Sequence, residues 1–328
     1  QAAVMTGADL AKLSTTALSS MTNAAFGAIA TSEITSLSSA QMSALQGGQV
    51  TALTTAQAGV MTGADLAKLS TTALSALTTA AFGAIATSEI TSLSSTQMSA
   101  LQGAQVSALT SAQAAVLTST QTPGLLSSQT SSMETQDLAA LTTSASAALT
   151  TGVVSSLSST QMGALTSEQV TALTTAQAAA LTATQAQGIT TVQTAALESG
   201  DLNKLTTSAF EALNTAVVSG LSSTQVGALT SAQVTALTTA QAAALTSVQA
   251  QGITTSQTAA LESGDLNKLS TSAFEALTTD VVAGLSGTQV GALTSSQVSA
   301  LTTAQAAALT TTQAAGVTTS QTAGLESG

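Results

Sequence analysis

The sequence predicts an all-α solenoid built from eight-residue units. Three observations predict it. An apolar residue recurs at every eighth position from Met5 to Leu325, without a slip. A hydroxyl residue follows it, and Gln or an acid stands three places further on, the pattern of a helix capping box. The composition is that of a repeat, not of an ordinary globular core: of 328 residues only 6% are charged and 1% aromatic.

Position one of the octad is Leu, Ile, Met or Val in 41 of 41 cases. Position two is Ser or Thr in 31 of 40 complete octads, and position five is Gln, Glu or Asp in 30 of them, Gln in 23. A continuous helix does not suit this period. Eight residues at about 100° each leave successive Leu residues roughly 80° apart, with no buried stripe. A capped short helix does suit it. In "LTSAQVTA" (229–236), Thr230 is the N-cap and Gln233 the third helical residue. Thr230 accepts from the amide of residue 233, and Gln233 reaches back to the amide of residue 230. Leu229 before the cap and Val234 at the fourth helical place form the hydrophobic staple. The octad before it repeats the set with Leu221, Ser222, Gln225 and Val226. Each helix would span about six residues, from position three to position eight. Helices this short are marginal alone, so stacking of the apolar positions must stabilise them. The alternative is a β-solenoid, since Thr, Val and Leu tolerate strands. Abundant Ala and Gln oppose it, as does the opposite parity of positions one and six.

A longer period lies over the octad. "LESGDLNK" at 197–204 recurs eight octads on, at 261–268, and "MTGADLAK" at 5–12 recurs seven octads on, at 61–68. The expected organisation is an octad solenoid of seven-octad super-repeats over 1–116, an irregular junction at 117–132 around Pro123, and eight-octad super-repeats over 133–328. A continuous rod is expected. The sequence begins and ends within an octad, so a window of a longer protein is also expected.

Net charge is -11 and all four basic residues are Lys. No basic patch exists to neutralise phosphates, so nucleic acid is not an expected partner. No run of apolar residues is long enough for a transmembrane helix. The chain has no Cys or His to serve as nucleophile, base or soft metal ligand, and no Gly-rich phosphate loop. No catalytic residue, cofactor or metal is therefore expected, and the chain is not read as an enzyme.

The recurring charged feature is an Asp with a Lys three residues later: Asp9 and Lys12, Asp65 and Lys68, Asp201 and Lys204, Asp265 and Lys268. Asp takes the capping-box place and Lys falls near the helix C-terminus, and both suit the helix dipole. A solvated face is the plain reading, and a lateral contact between neighbouring chains is the functional one. Phe26, Phe82, Phe210 and Phe274 all occupy position six, which suits a core, or a docking row if that face is open.

Ala/Thr-rich tracts such as "ALTTAQAAALT" (236–246) recur along the chain. In this it resembles the repeat regions of giant bacterial surface proteins of the adhesin or filament type. The resemblance implies an extracellular or cell-surface filament, stalk or adhesin shaft that associates with itself. Few Lys and no Arg leave few sites for trypsin-like proteases, and the Ser/Thr surface offers acceptors and contacts for glycans. Two other readings stand beside it: an ice- or polysaccharide-binding Thr surface, and a scaffold that docks partners along its length. Adjacent threonines such as Thr174 and Thr175 would diverge on a strand, unlike the flat Thr rows of ice-binding solenoids.

Overall fold

The computed structural model describes residues 5–325. Within them lie 37 short α-helices, from Gly7–Lys12 to Thr319–Leu325, and no strand. The fold is an all-α solenoid, which removes the β-solenoid alternative. The chain divides into two compact units, residues 1–172 and 173–328.

Each octad makes one helix and one corner. Ser231–Thr235 is representative, with Thr230 as an extended N-cap. The helix typically covers positions three to seven, one residue fewer than expected, because position eight closes it as the C-cap. Ala228, for example, has φ -84 and ψ -10. Position one then leaves the helical region. Leu101 and Gln102, at φ/ψ of -60/144 and -72/149, are two successive extended residues that swing the chain into its next helix. One Leu therefore ends a helix and precedes the next cap. No described residue, glycine included, has positive φ, so the corner needs no left-handed C-cap.

Three octads complete a turn. In the first unit Thr55–Gly59 packs on Thr79–Gly83, and in the second Ser223–Gly227 packs on Ser247–Ala250. Each partner starts three octads on. Positions one and six point inward: Leu221, Val226, Leu229 and Val234 share one apolar interior with Leu237 and Leu245. The four Phe residues are fully buried, so the position-six docking row is not available. Burying each such side chain stabilises the stack by about 1.5–3 kcal/mol.

Small residues set how closely the layers approach. A Cβ on Gly252 would overlap the Ser223 carbonyl of the preceding layer, and one on Gly124 would overlap the Ser95 carbonyl. Next to Gly124, Pro123 sits in a 3-10 turn, Thr122–Gly124. The same turn forms at Thr194–Ala196 and Thr258–Ala260 without a Pro. All three carry a buried Thr at position six in place of an aliphatic residue, and Thr122 donates to the Ala145 carbonyl at 2.7 Å.

Candidate functional site: the stacking glutamines

The buried polar side chains of this molecule are mostly Gln at position five. A buried Gln must place two donors and accept at its oxygen. Gln249 does so completely. Its Oε1 accepts from the Thr246 amide at 2.9 Å and the Thr246 hydroxyl at 3.2 Å. Its Nε2 donates to the Val218 carbonyl at 2.7 Å and the Leu221 carbonyl at 2.8 Å. The first pair caps its own helix. The second pair belongs to the layer beneath, more than three octads back.

That geometry follows from the corner. The chain leaves each helix through two extended residues, so the last carbonyls lose their helical continuation. The position-six carbonyl keeps one short-range partner, as when the Leu221 amide donates to Val218. The Gln one turn above reaches both that carbonyl and the Leu carbonyl of position one. Gln therefore caps the N-terminus of one helix and the C-terminus of another.

The arrangement recurs with little change. Gln41 donates to Leu10 and Leu13 at 2.7 and 2.9 Å, and Gln121 to Ile90 and Leu93 at 2.8 and 2.9 Å. Gln225 and Gln233 do the same, Gln233 with Leu202 at 2.8 Å and Leu205 at 3.0 Å. Gln121 and Gln129 keep the bonds through the Pro123 junction, so residues 117–132 stack in unbroken register. The local cap is present too: the Thr230 amide donates to Gln233 at 3.0 Å, and the Gln233 amide to the Thr230 hydroxyl at 3.2 Å. Ser222 and Gln225 repeat this pairing.

Acids at position five cannot do the second task, because a carboxylate lacks donors for carbonyls. Three of them turn to the start of the helix beneath. Glu89 accepts from the Gly63 amide at 2.5 Å and Glu33 from the Gly7 amide, where the helix dipole favours negative charge. Asp137 accepts from the Ser111 hydroxyl at 2.7 Å, at the same register one turn back.

The four Asp residues of the repeated charged octads divide into two kinds. Asp9 and Asp65 cap their helices with Thr6 and Thr62. The Thr6 hydrogen bonds hold the Asp9 carboxyl below the usual range. Asp201 and Asp265 lie 7% and 4% exposed, so they are not on a solvated face. Their N-caps are Glu198 and Glu262, whose side chains make no cap bond. Burial, with the neighbouring Glu, pushes both Asp carboxyls up. Oδ2 of Asp265 is buried without a partner. Lys12, Lys68, Lys204 and Lys268 are all exposed. Three octads per turn also set Asp9 and Asp65, seven octads apart, on different faces of their unit. Asp201 and Asp265, eight apart, fall on different faces of theirs.

Position five shows a further pattern. Asp265, Ala273 and Val281 are consecutive, so the turn at 261–284 has no Gln at position five, and Asp137, Ala145 and Val153 leave 133–156 without one there too. Five Gln octads follow each. The eight-octad super-repeat is thus one turn without Gln and five octads with it.

The ALTTAQ repeat family model matches this chain. Its matches cover residues 131–167, 147–175, 194–231 and 258–295. "ALTTAQ" itself stands at 52–57, 172–177, 236–241 and 300–305, ending each time on a position-five Gln. The matches that begin at 194 and 258 are eight octads apart, and each runs from a Gln-free turn into the Gln octads after it. The chain is a tandem-repeat protein. No curated protein matches it. No group of three metal-ligating side chains occurs among the described residues, and no described helix is long and apolar enough to cross a membrane.

Proposed function

We propose that this chain is a structural shaft: a segment of an extracellular bacterial filament, stalk or adhesin that associates with itself. One observation carries the reading. Two side chains that recur along the whole octad array, Leu at position one and Gln at position five, are consumed in stacking one turn on the next. What repeats is a means of elongation. The faces left to solvent are mainly Ser, Thr and Ala, suited to weak lateral contacts and to glycans. The chain acts mechanically on this reading, with no reaction of its own. Electron microscopy of the purified chain tests it. Elongated particles that align into bundles as concentration rises are expected. Particles that stay dispersed at every concentration would overturn the self-association, and surface-inaccessible protein in antibody labelling of intact source cells would overturn the location.

A further inference from the structure

The second unit carries one kind of open cleft twice. Leu261, Glu262 and Ser263 face Gly284, Ser286 and Thr288 across two layers of a corner. Leu197, Glu198 and Ser199 face Gly220, Ser222 and Thr224 in the same way, eight octads earlier. A Cβ added at Gly200 or Gly264 would meet nothing within 4 Å, so the corner is open there. Each cleft presents one exposed carboxylate that caps no helix.

The turn length decides what lies in line with the first cleft. Ser199–Leu202 stacks on Ser223–Gly227, that helix on Ser247–Ala250, and that one on Thr271–Glu275. Glu198 enters this column at its first helix, and Lys268 leads into its fourth. A carboxylate in a hydroxyl-lined cleft and an exposed ammonium thus share one edge, three layers apart. At about 8–10 Å per layer the separation is on the order of 25–30 Å.

We propose that this edge is a self-association surface, on which a second copy lies antiparallel and places its Lys268 in the Glu198 cleft. The two-fold relation makes the contact reciprocal, so each pairing forms both ion pairs at once. Charge complementarity selects the occupant: Lys is the only cation in a chain of net charge -11, and only four are present. Exposed ion pairs are individually weak, so the pairing is salt-sensitive and draws its strength from forming both reciprocal contacts together. This inference rests on the proposed self-association and gives it an edge and a polarity.

Charge exchange in the full chain, read by sedimentation velocity at low and high salt, tests it. Glu198→Lys alone sets like charges at both contacts, and so does Lys268→Glu alone. Each is expected to weaken association by about tenfold or more with circular dichroism unchanged. The double variant, and an equimolar mixture of the two single variants, are expected to restore it. Wild-type chain that associates while both single variants associate equally well would overturn this edge and leave the self-association standing. Wild-type chain that stays monomeric at all concentrations and salts would overturn both. Association lost in the single variants but not regained in the double variant would overturn the antiparallel pairing.

Discussion

Replacing Gln249 by Met keeps the volume and removes every hydrogen bond the side chain makes. The Thr246 amide and the Leu221 carbonyl lose the partners described above, and the Val218 carbonyl keeps only the Leu221 amide. Gln249 is 1% exposed, so water does not readily replace it. Two orphaned backbone groups cost about 1–3 kcal/mol each, and the third bond adds about 1 kcal/mol, together about 3–7 kcal/mol. In a solenoid this loss stays with the neighbouring layers, because each turn contacts only those beside it. Hydrogen exchange over residues 214–252 is therefore the assay, not a global melting curve. Protection there should fall by about two to five powers of ten, with exchange several turns away unchanged. Thr246→Ala, which removes only a cap, should cost about 1 kcal/mol. A Gln249→Met effect no larger than the Thr246→Ala effect would refute the claim that the amide joins layers.

Gly252→Ala should destabilise its layer by about 1–3 kcal/mol, because the new Cβ meets the Ser223 backbone. Gly264→Ala, with open space, should be neutral or slightly stabilising, and exchange measurements on both variants check the contrast. The buried carboxyls give a pH dependence of defined sign. Asp137, Asp201 and Asp265 have folded pKa values raised above the unfolded ones. The folded state therefore binds more protons. Their contribution is fully present below the unfolded carboxylate pKa and is lost as pH rises through the folded values. Thermal melts of Asp265→Asn should show a smaller loss on going from acid to neutral pH than the wild-type chain shows. Phe274→Ala, fully buried in a Gln-free turn, should cost about 3–5 kcal/mol by local exchange at 261–284.

The local half of this fold is legible in the octad because its causes lie within one repeat. Thr230 and Gln233 are three apart, and Leu229 and Val234 are five apart, so spacing alone reveals cap and staple. The layer-joining half depends on groups such as Gln249 and the Val218 and Leu221 carbonyls, which no window of one octad brings together. Two signals of it are nevertheless present. Glu would serve a capping box as well as Gln, yet position five holds Gln 23 times and Glu twice. Only the amide has donors to spare, which is the mark of a second task. The runs without Gln at 137, 145, 153 and at 265, 273, 281 are three octads long, the length of one turn. The buried state of Asp201 and Asp265 was less legible. Their octads differ from those of Asp9 and Asp65 at five of eight positions, among them Glu for Thr at the N-cap, and only the packed structure shows that Asp then stops capping.

The glutamine bonds, the stacked columns and the shared edge all depend on three octads completing one turn. Distances between spin labels measure that directly, and a chain without Cys accepts labelling cysteines cleanly. Thr224, Ala240, Val248 and Ser256 are exposed and occupy position four of their octads. With one label at Thr224, the partner at Val248, three octads on, should give the shortest distance. Its backbone spacing is that of adjacent helices, about 8–10 Å. Partners at Ala240 and Ser256, two and four octads on, should lie clearly further off. A shortest distance at Ala240 or at Ser256 would mean two or four octads per turn, and the Gln bonds described here could not form.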